Sequence, residues 1–94
     1  MPGSTTSKFL VVYVLLSLKD KKSYVGITKD LNRRFQEHCD GQVFSTKERR
    51  PLVIIYFEGC LSKEDAIRRE DYLKTTGGRR FLAKRLKSFK SISH

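Results

Sequence analysis

The stretch FLVVYVLLSLKDKKSYVGI, residues 9–27, decides the fold. Phe9 to Leu18 is aliphatic, aromatic and β-branched, the composition of a buried strand. Lys19-Asp20-Lys21-Lys22 forms a polar turn, and Ser23 to Ile27 resumes as a second short strand. Two strands joined by a short polar connection make a hairpin by length. The apolar run Phe9 to Leu16 falls short of the roughly 18 residues of a membrane span, and no small-residue cleavage site follows it.

Beyond the hairpin the period changes from strand to helix. Asp30 is the expected N-cap, Leu31, Phe35 and His38 follow at helical spacing, and Gly41 is a natural stop. Gln42 to Pro51 reads as a loop carrying Ser45, Thr46, Lys47, Arg49 and Arg50. Leu52 to Phe57 is a third strand, apolar throughout, which predicts a central or well-covered position. Ser62 with Asp65 resembles a capping box with a short carboxylate, opening a helix from about Lys63 to Lys74. Gly77-Gly78 is expected to end that helix. A last basic helix then runs from about Arg79 to Lys87 with Phe81, Leu82 and Leu86 inward. The order β-β-α-β-α-α predicts an α+β domain: a small, about three-stranded, mostly antiparallel sheet flanked by helices. Residues 1–8 read as a flexible lead-in and 89–94 as a frayed tail, leaving 9–88 as the single domain that 94 residues allow.

Twenty Lys/Arg against ten Asp/Glu give a formal charge of +10, more than solubility requires, so a polyanion is the expected partner. DNA comes first, with RNA as the alternative; neither a membrane nor a small-molecule cofactor is expected. Cys39 and Cys60 lack metal-ligand spacing and read as reduced bystanders of a cytoplasmic protein. There is no Gly-rich phosphate loop, two-carboxylate cluster, zinc spacing or nucleophile elbow.

Three features resist a purely structural reading. Glu70 falls within the apolar stripe of Ala66, Ile67 and Leu73, where a carboxylate needs a metal, donors or a cation such as Arg34 or a neighbouring lysine. Arg34 and His38 share a helix face beside Leu31 and Phe35. Arg34 can present planar donors to a phosphate, and His38 can act as acid or base or simply end the helix. Tyr13 and Tyr24 lie one on each hairpin strand, usually packing positions, with Gly26 permitting close approach of a ligand or backbone. Two phenols, an Arg, a His and a Glu are thereby expected on one sheet face.

These residues together resemble the GIY-YIG nuclease superfamily, especially short single-domain members related to the N-terminal nuclease domain of the repair excinuclease. Val11-Val12-Tyr13 corresponds to the first motif and Tyr24-Val25-Gly26 to the second, with ten residues between the tyrosines. The helix with Arg34 and His38, the segments Ser45-Thr46-Lys47 and Arg50-Pro51, Ala66-Ile67-Arg68-Arg69-Glu70, and Gly77-Gly78-Arg79 are similar to the same subgroup. Val11 replaces the first Gly of the name motif. Ile27 stands where some relatives carry a lysine, which leaves the base to a tyrosine, His38 or water on the metal.

The resemblance implies an endonuclease of low intrinsic sequence specificity that hydrolyses DNA with Mg²⁺ or Mn²⁺, in DNA repair or structure-selective cleavage. Glu70 would hold the metal and Arg34 neutralise phosphoryl charge. Tyr24, favoured over Tyr13 for its place beside Gly26 at a strand end, would activate water, with His38 as second base or relay. Lys47, Arg49, Arg50, Arg79 and Arg80 would grip the substrate, with Gly26 at the nucleic-acid face. The competing expectation is a binding module of the same fold with catalysis weak or lost.

Overall fold

The computed structural model describes residues 9–88, so the expected lead-in and tail lie outside the described residues. Strands β1 (Leu10–Ser17), β2 (Ser23–Thr28) and β3 (Leu52–Cys60) form one antiparallel sheet in the order β2-β1-β3. Helices α1 (Leu31–Cys39), α2 (Lys63–Leu73) and α3 (Thr76–Arg85) complete the α+β order read from the sequence. No described helix is long and apolar enough to cross a membrane.

The alternation of β1 divides the core in two. Val12 and Val14 face α2 and α3, packing with Val25, Ala66, Leu73 and Leu82. Tyr13 and Leu15 face the opposite way, packing with Leu52 and, more loosely, Tyr24, Leu31 and Phe35 of β2 and α1. Both faces of the sheet are covered, so β1 is buried along most of its length. Each fully buried Val or Leu contributes roughly 2 kcal/mol.

The structure departs from the sequence reading in three places. The expectation of a central or well-covered β3 is not met: it lies at an edge, and its residues are mostly half-buried. β1, apolar for a longer run, takes the centre because both other strands pair with it. A register shift opposite Val14 and Leu15 makes a bulge in β3, which also extends to Cys60. Ser62 does cap α2, accepting from the Asp65 N–H at 3.0 Å, but the Asp65 carboxylate is engaged by Arg68. Finally, Gly77 and Gly78 do not end a helix; they form the first turn of α3, which Thr75 caps by accepting from the Gly78 N–H at 3.1 Å. A Cβ on Gly78 would collide with the backbone of Tyr72 and Leu73, so glycine here lets the start of α3 press against the end of α2.

The hairpin turn is closely held. The Ser17 hydroxyl accepts from the Lys19 and Asp20 N–H groups, both at 3.1 Å, and donates to the Arg49 carbonyl at 2.6 Å. Asp20 accepts from the Lys22 N–H at 2.9 Å and pairs with Arg49 at 2.8 Å, while Lys21 takes the left-handed conformation with φ 62°.

Candidate functional site

Tyr13 stands on the central strand opposite Gly26 of β2. A Cβ on Gly26 would lie 2.5 Å from the Tyr13 Oη, so the group that approaches this glycine is the phenol. Asp30 caps α1 by accepting from the Arg33 N–H at 3.1 Å, and the helix then carries His38 to the same phenol. His38 Nε2 is 2.9 Å from Tyr13 Oη, and its Nδ1 is 2.7 Å from Thr46 Oγ1. All three side chains are buried. A neutral imidazole has one donor and one acceptor nitrogen, so Thr46–His38–Tyr13 is a directed hydrogen-bond relay. Tyr24 closes the group, its ring 6.4 Å from Tyr13 and 5.2 Å from His38.

The electrostatics follow from this burial. Desolvation pushes the Tyr13 phenol above its ordinary pKa, while the Arg34 guanidinium beside it pulls the other way. Desolvation, helped by the positive charge of Arg34, holds His38 below its ordinary value, which favours neutral imidazole. Arg34 itself bonds to Glu37 at 2.9 Å and sits at the rim of the group, with 39% of its side chain exposed.

Glu70 arrives from a different layer. It belongs to α2, on the far face of the sheet, and it meets Tyr24 at β2, the edge strand. There a cavity of about 350 Å³ is lined by Ser23, Tyr24 and Val25 of β2 together with Glu70, Leu73, Lys74 and Arg79. The negative charge of Glu70 also acts on Tyr13. The expectation of one sheet face therefore holds for Tyr13, Tyr24, Arg34 and His38, while Glu70 meets only Tyr24 of this group, at the sheet edge. Ile67, placed in its stripe by spacing, is 42% exposed, and the inward positions of α2 are Ala66 and Leu73. Lys74 pairs with Glu70 at 3.6 Å, one of the cation contacts that the stripe called for.

The basic residues have divided fates. Arg79 lines the Glu70 cavity, and Arg80 is exposed on the same helix. Lys47 lies over the Phe44 ring, 5.4 Å from its centroid. Arg49 is bonded to Asp20 and to the Lys22 carbonyl. Arg50 donates to the Lys47 carbonyl at 2.8 Å and packs under Gly41, whose φ of 79° glycine accommodates. Thr46, named in the sequence only as part of a loop segment and given no role there, belongs to the site; a threonine in a loop has no periodicity to betray an inward turn. Among the described residues no three His, Cys, Asp or Glu cluster as a metal site.

The sequence description of the GIY-YIG catalytic domain matches residues 9–88. The UPF0213 protein YazA of Bacillus subtilis is 36% identical over 63 residues, covering 66% of this chain; the match spans 64% of YazA's own length. A UPF0213 protein of Staphylococcus haemolyticus is 40% identical over 65 residues, 68% of this chain and 78% of that protein. The solution NMR structure of a UPF0213 protein from Bacillus halodurans superposes with a TM-score of 0.51 at 30% identity, covering 81% of this chain and 83% of that one. The family match runs from the first described residue to the last, through every strand and helix, and the chain belongs to the GIY-YIG family.

Proposed function

We propose that the chain is a divalent-metal-dependent endonuclease that hydrolyses DNA phosphodiester bonds at the edge of β2. The observation that carries this reading is the cavity shared by Glu70 and Tyr24, with the Tyr13–His38 pair behind it and cations on its wall. The half-exposed i,i+4 pair Glu70–Lys74 is worth about 0–1 kcal/mol, too little to keep the carboxylate from a stronger ligand.

The donors around the cavity suit a hard cation. Glu70 offers a carboxylate and Tyr24 and Ser23 offer hydroxyls, without imidazole or sulfur ligands among the described residues of the cavity. One carboxylate is the protein share typical of Mg²⁺ or Mn²⁺ sites completed by water and substrate phosphate. Glu70 would hold the ion, which when bound supplies Lewis-acid stabilisation of phosphate charge.

The chain's own residues do the rest. Tyr24, half-buried at the cavity wall, orients the attacking water and takes its proton while its own phenolic proton leaves to solvent. The water oxygen bonds to phosphorus as one phosphorus–oxygen ester bond breaks, and the leaving oxygen takes a proton from solvent. Tyr13 and His38, hydrogen-bonded to each other behind Tyr24, pack against its ring and hold it in place. Arg34, at the rim, meets the charge that builds on the phosphoryl oxygens. Lys47, Arg79 and Arg80 present charge to backbone phosphates, which carry no sequence information, so intrinsic specificity is low. Arg49 and Arg50, whose nitrogens are bonded within the fold, shape the loop that carries Thr46. Repair or structure-selective cleavage fits such an enzyme.

The test is cleavage of plasmid, branched and single-stranded DNA by wild type and Arg34→Ala, with and without Mn²⁺. Metal-dependent cleavage that falls about a hundredfold or more in Arg34→Ala supports the reading. Tight DNA binding with no cleavage with or without Mn²⁺ leaves the fold as a binding module.

A further inference from the structure

Resting on the nuclease reading, the structure assigns a phosphate track that leaves the Glu70 cavity along the start of β2 and ends at the hairpin turn. Lys21, Lys22 and Arg79 are its ligands, and the backbone phosphates of a DNA strand are its occupant.

The first observation is adjacency. The Glu70 cavity and a second cavity of about 530 Å³ share Ser23 and Arg79, so the two adjoin at these residues. The second is lined by the turn residues Asp20, Lys21 and Lys22, with Arg49.

The second observation is which charges remain unanswered. Among the described residues Asp20 is the one acid on the wall of the second cavity, and Arg49 holds its carboxyl well below the usual carboxylate range; each cancels the other. Lys19 donates to the Glu48 carbonyl at 3.0 Å, and Lys74 pairs with Glu70. Lys21, Lys22 and Arg79 are exposed, and among the described residues none of them has an acidic partner. Three such cations spaced along a groove that begins at the reacting centre present the charge pattern of a sugar–phosphate backbone.

The third observation is rigidity. The two lysines stand on a turn whose backbone is pinned by the Ser17 hydroxyl, the Asp20 carboxylate and the Lys22 carbonyl, which accepts from the Ser17 N–H at 3.0 Å. Ligands on a pinned turn lose less conformational freedom on binding than lysines on a mobile loop. The hairpin thus adds two well-held cations to the grip on the substrate, while the neighbouring Arg49 serves to hold that hairpin in place.

The experiment measures binding of a short fluorescent DNA duplex across a salt series without divalent metal, so that no cleavage intervenes. Lys21→Asn with Lys22→Gln is compared with Lys63→Gln with Lys84→Gln, which removes the same charge from exposed sites outside the track; Asn tolerates the left-handed backbone at position 21. Each phosphate contact contributes about 0.9 to the slope of log affinity against log salt. The hairpin pair is expected to lower that slope by about 2 and Arg79→Gln by about 1, with little change in the control. Equal slopes for the hairpin and control variants would overturn the track, since binding would then follow net charge alone. The outcome is independent of catalysis: a protein that never cleaves can still lose slope at the hairpin, and an active nuclease can fail to.

Discussion

Arg69 grips Glu58 with two nitrogens, Nε at 2.7 Å and Nη2 at 3.2 Å, and so ties α2 to the edge strand β3. Tyr56 donates to the same carboxylate at 2.7 Å, and the guanidinium lies against the rings of Tyr72 and Phe81 at 5.1 and 5.0 Å. Consecutive helix residues point about 100° apart. With Arg69 fixed toward β3, Glu70 is directed toward the opposite edge, β2, where Tyr24 waits. The clamp is how a helix packed on the far face delivers its carboxylate to Tyr24.

Removing the clamp from one side leaves a half-buried charge unpaired. Arg69→Met is expected to lower unfolding free energy by about 2–3 kcal/mol, measured by chemical denaturation. Burial pushes the Glu58 carboxyl up, but its bonds to Arg69 and Tyr56 prevail and hold it below the ordinary 4.5. A depressed folded pKa gives stability that is present above about pH 4.5 and lost as the pH falls through the folded value. Glu58→Gln should lack that part of the acid sensitivity, so its stability falls less than wild type's below pH 4.5. Identical acid profiles would contradict the pairing.

The Thr46–His38–Tyr13 relay makes a second prediction. Thr46→Val leaves His38 Nδ1 without its partner in a sealed site and is expected to cost about 1–3 kcal/mol of stability, with Thr46→Ser close to wild type. His38 has a lowered folded pKa, so between that value and the ordinary 6.5 the unfolded chain binds the extra proton. Stability should therefore rise with pH up to about 6.5 and level off above it. Melting curves of His38→Gln should lose that slope; retention of it would remove the histidine from the account.

Two adjacent glycines in α3 should respond in opposite directions. Around Gly77 a Cβ meets nothing nearer than 3.6 Å, and Gly77→Ala is expected to stabilise by up to about 1 kcal/mol through helix propensity. Gly78→Ala drives a methyl into the backbone of α2 and should destabilise by about 1–3 kcal/mol. Thermal melts of the two variants decide it, and a stabilised Gly78→Ala would mean that α2 and α3 do not press together there.

These same glycines show where the sequence stops being legible. Local rules read Asp30, Ser62 and the hairpin correctly because a cap or a turn is decided by neighbours in the chain. The pair Gly77-Gly78 looks like a helix stop by those rules, yet what selects glycine at 78 is a tertiary contact with Tyr72. β3 read as well covered from its apolar run, but edge or centre depends on which strand pairs twice. The Arg69–Glu58 clamp joins residues on different elements, and no periodicity announces it. At the site, the resemblance named Tyr13, Tyr24, Arg34, His38 and Glu70, and the structure joins the first four around one relay. The route of Glu70 around the sheet edge, and the inward turn of Thr46, needed three dimensions.

The most direct test of the central claim is single-turnover cleavage of DNA by wild type and Glu70→Gln in Mn²⁺, with binding to the same DNA measured in parallel. Cleavage lost by about a hundredfold or more with binding retained is the predicted result, roughly the effect of removing one electrostatic anchor from a hydrolytic site. Equal cleavage by the two proteins would contradict it, because the carboxylate beside Tyr24 would then take no part in the reaction.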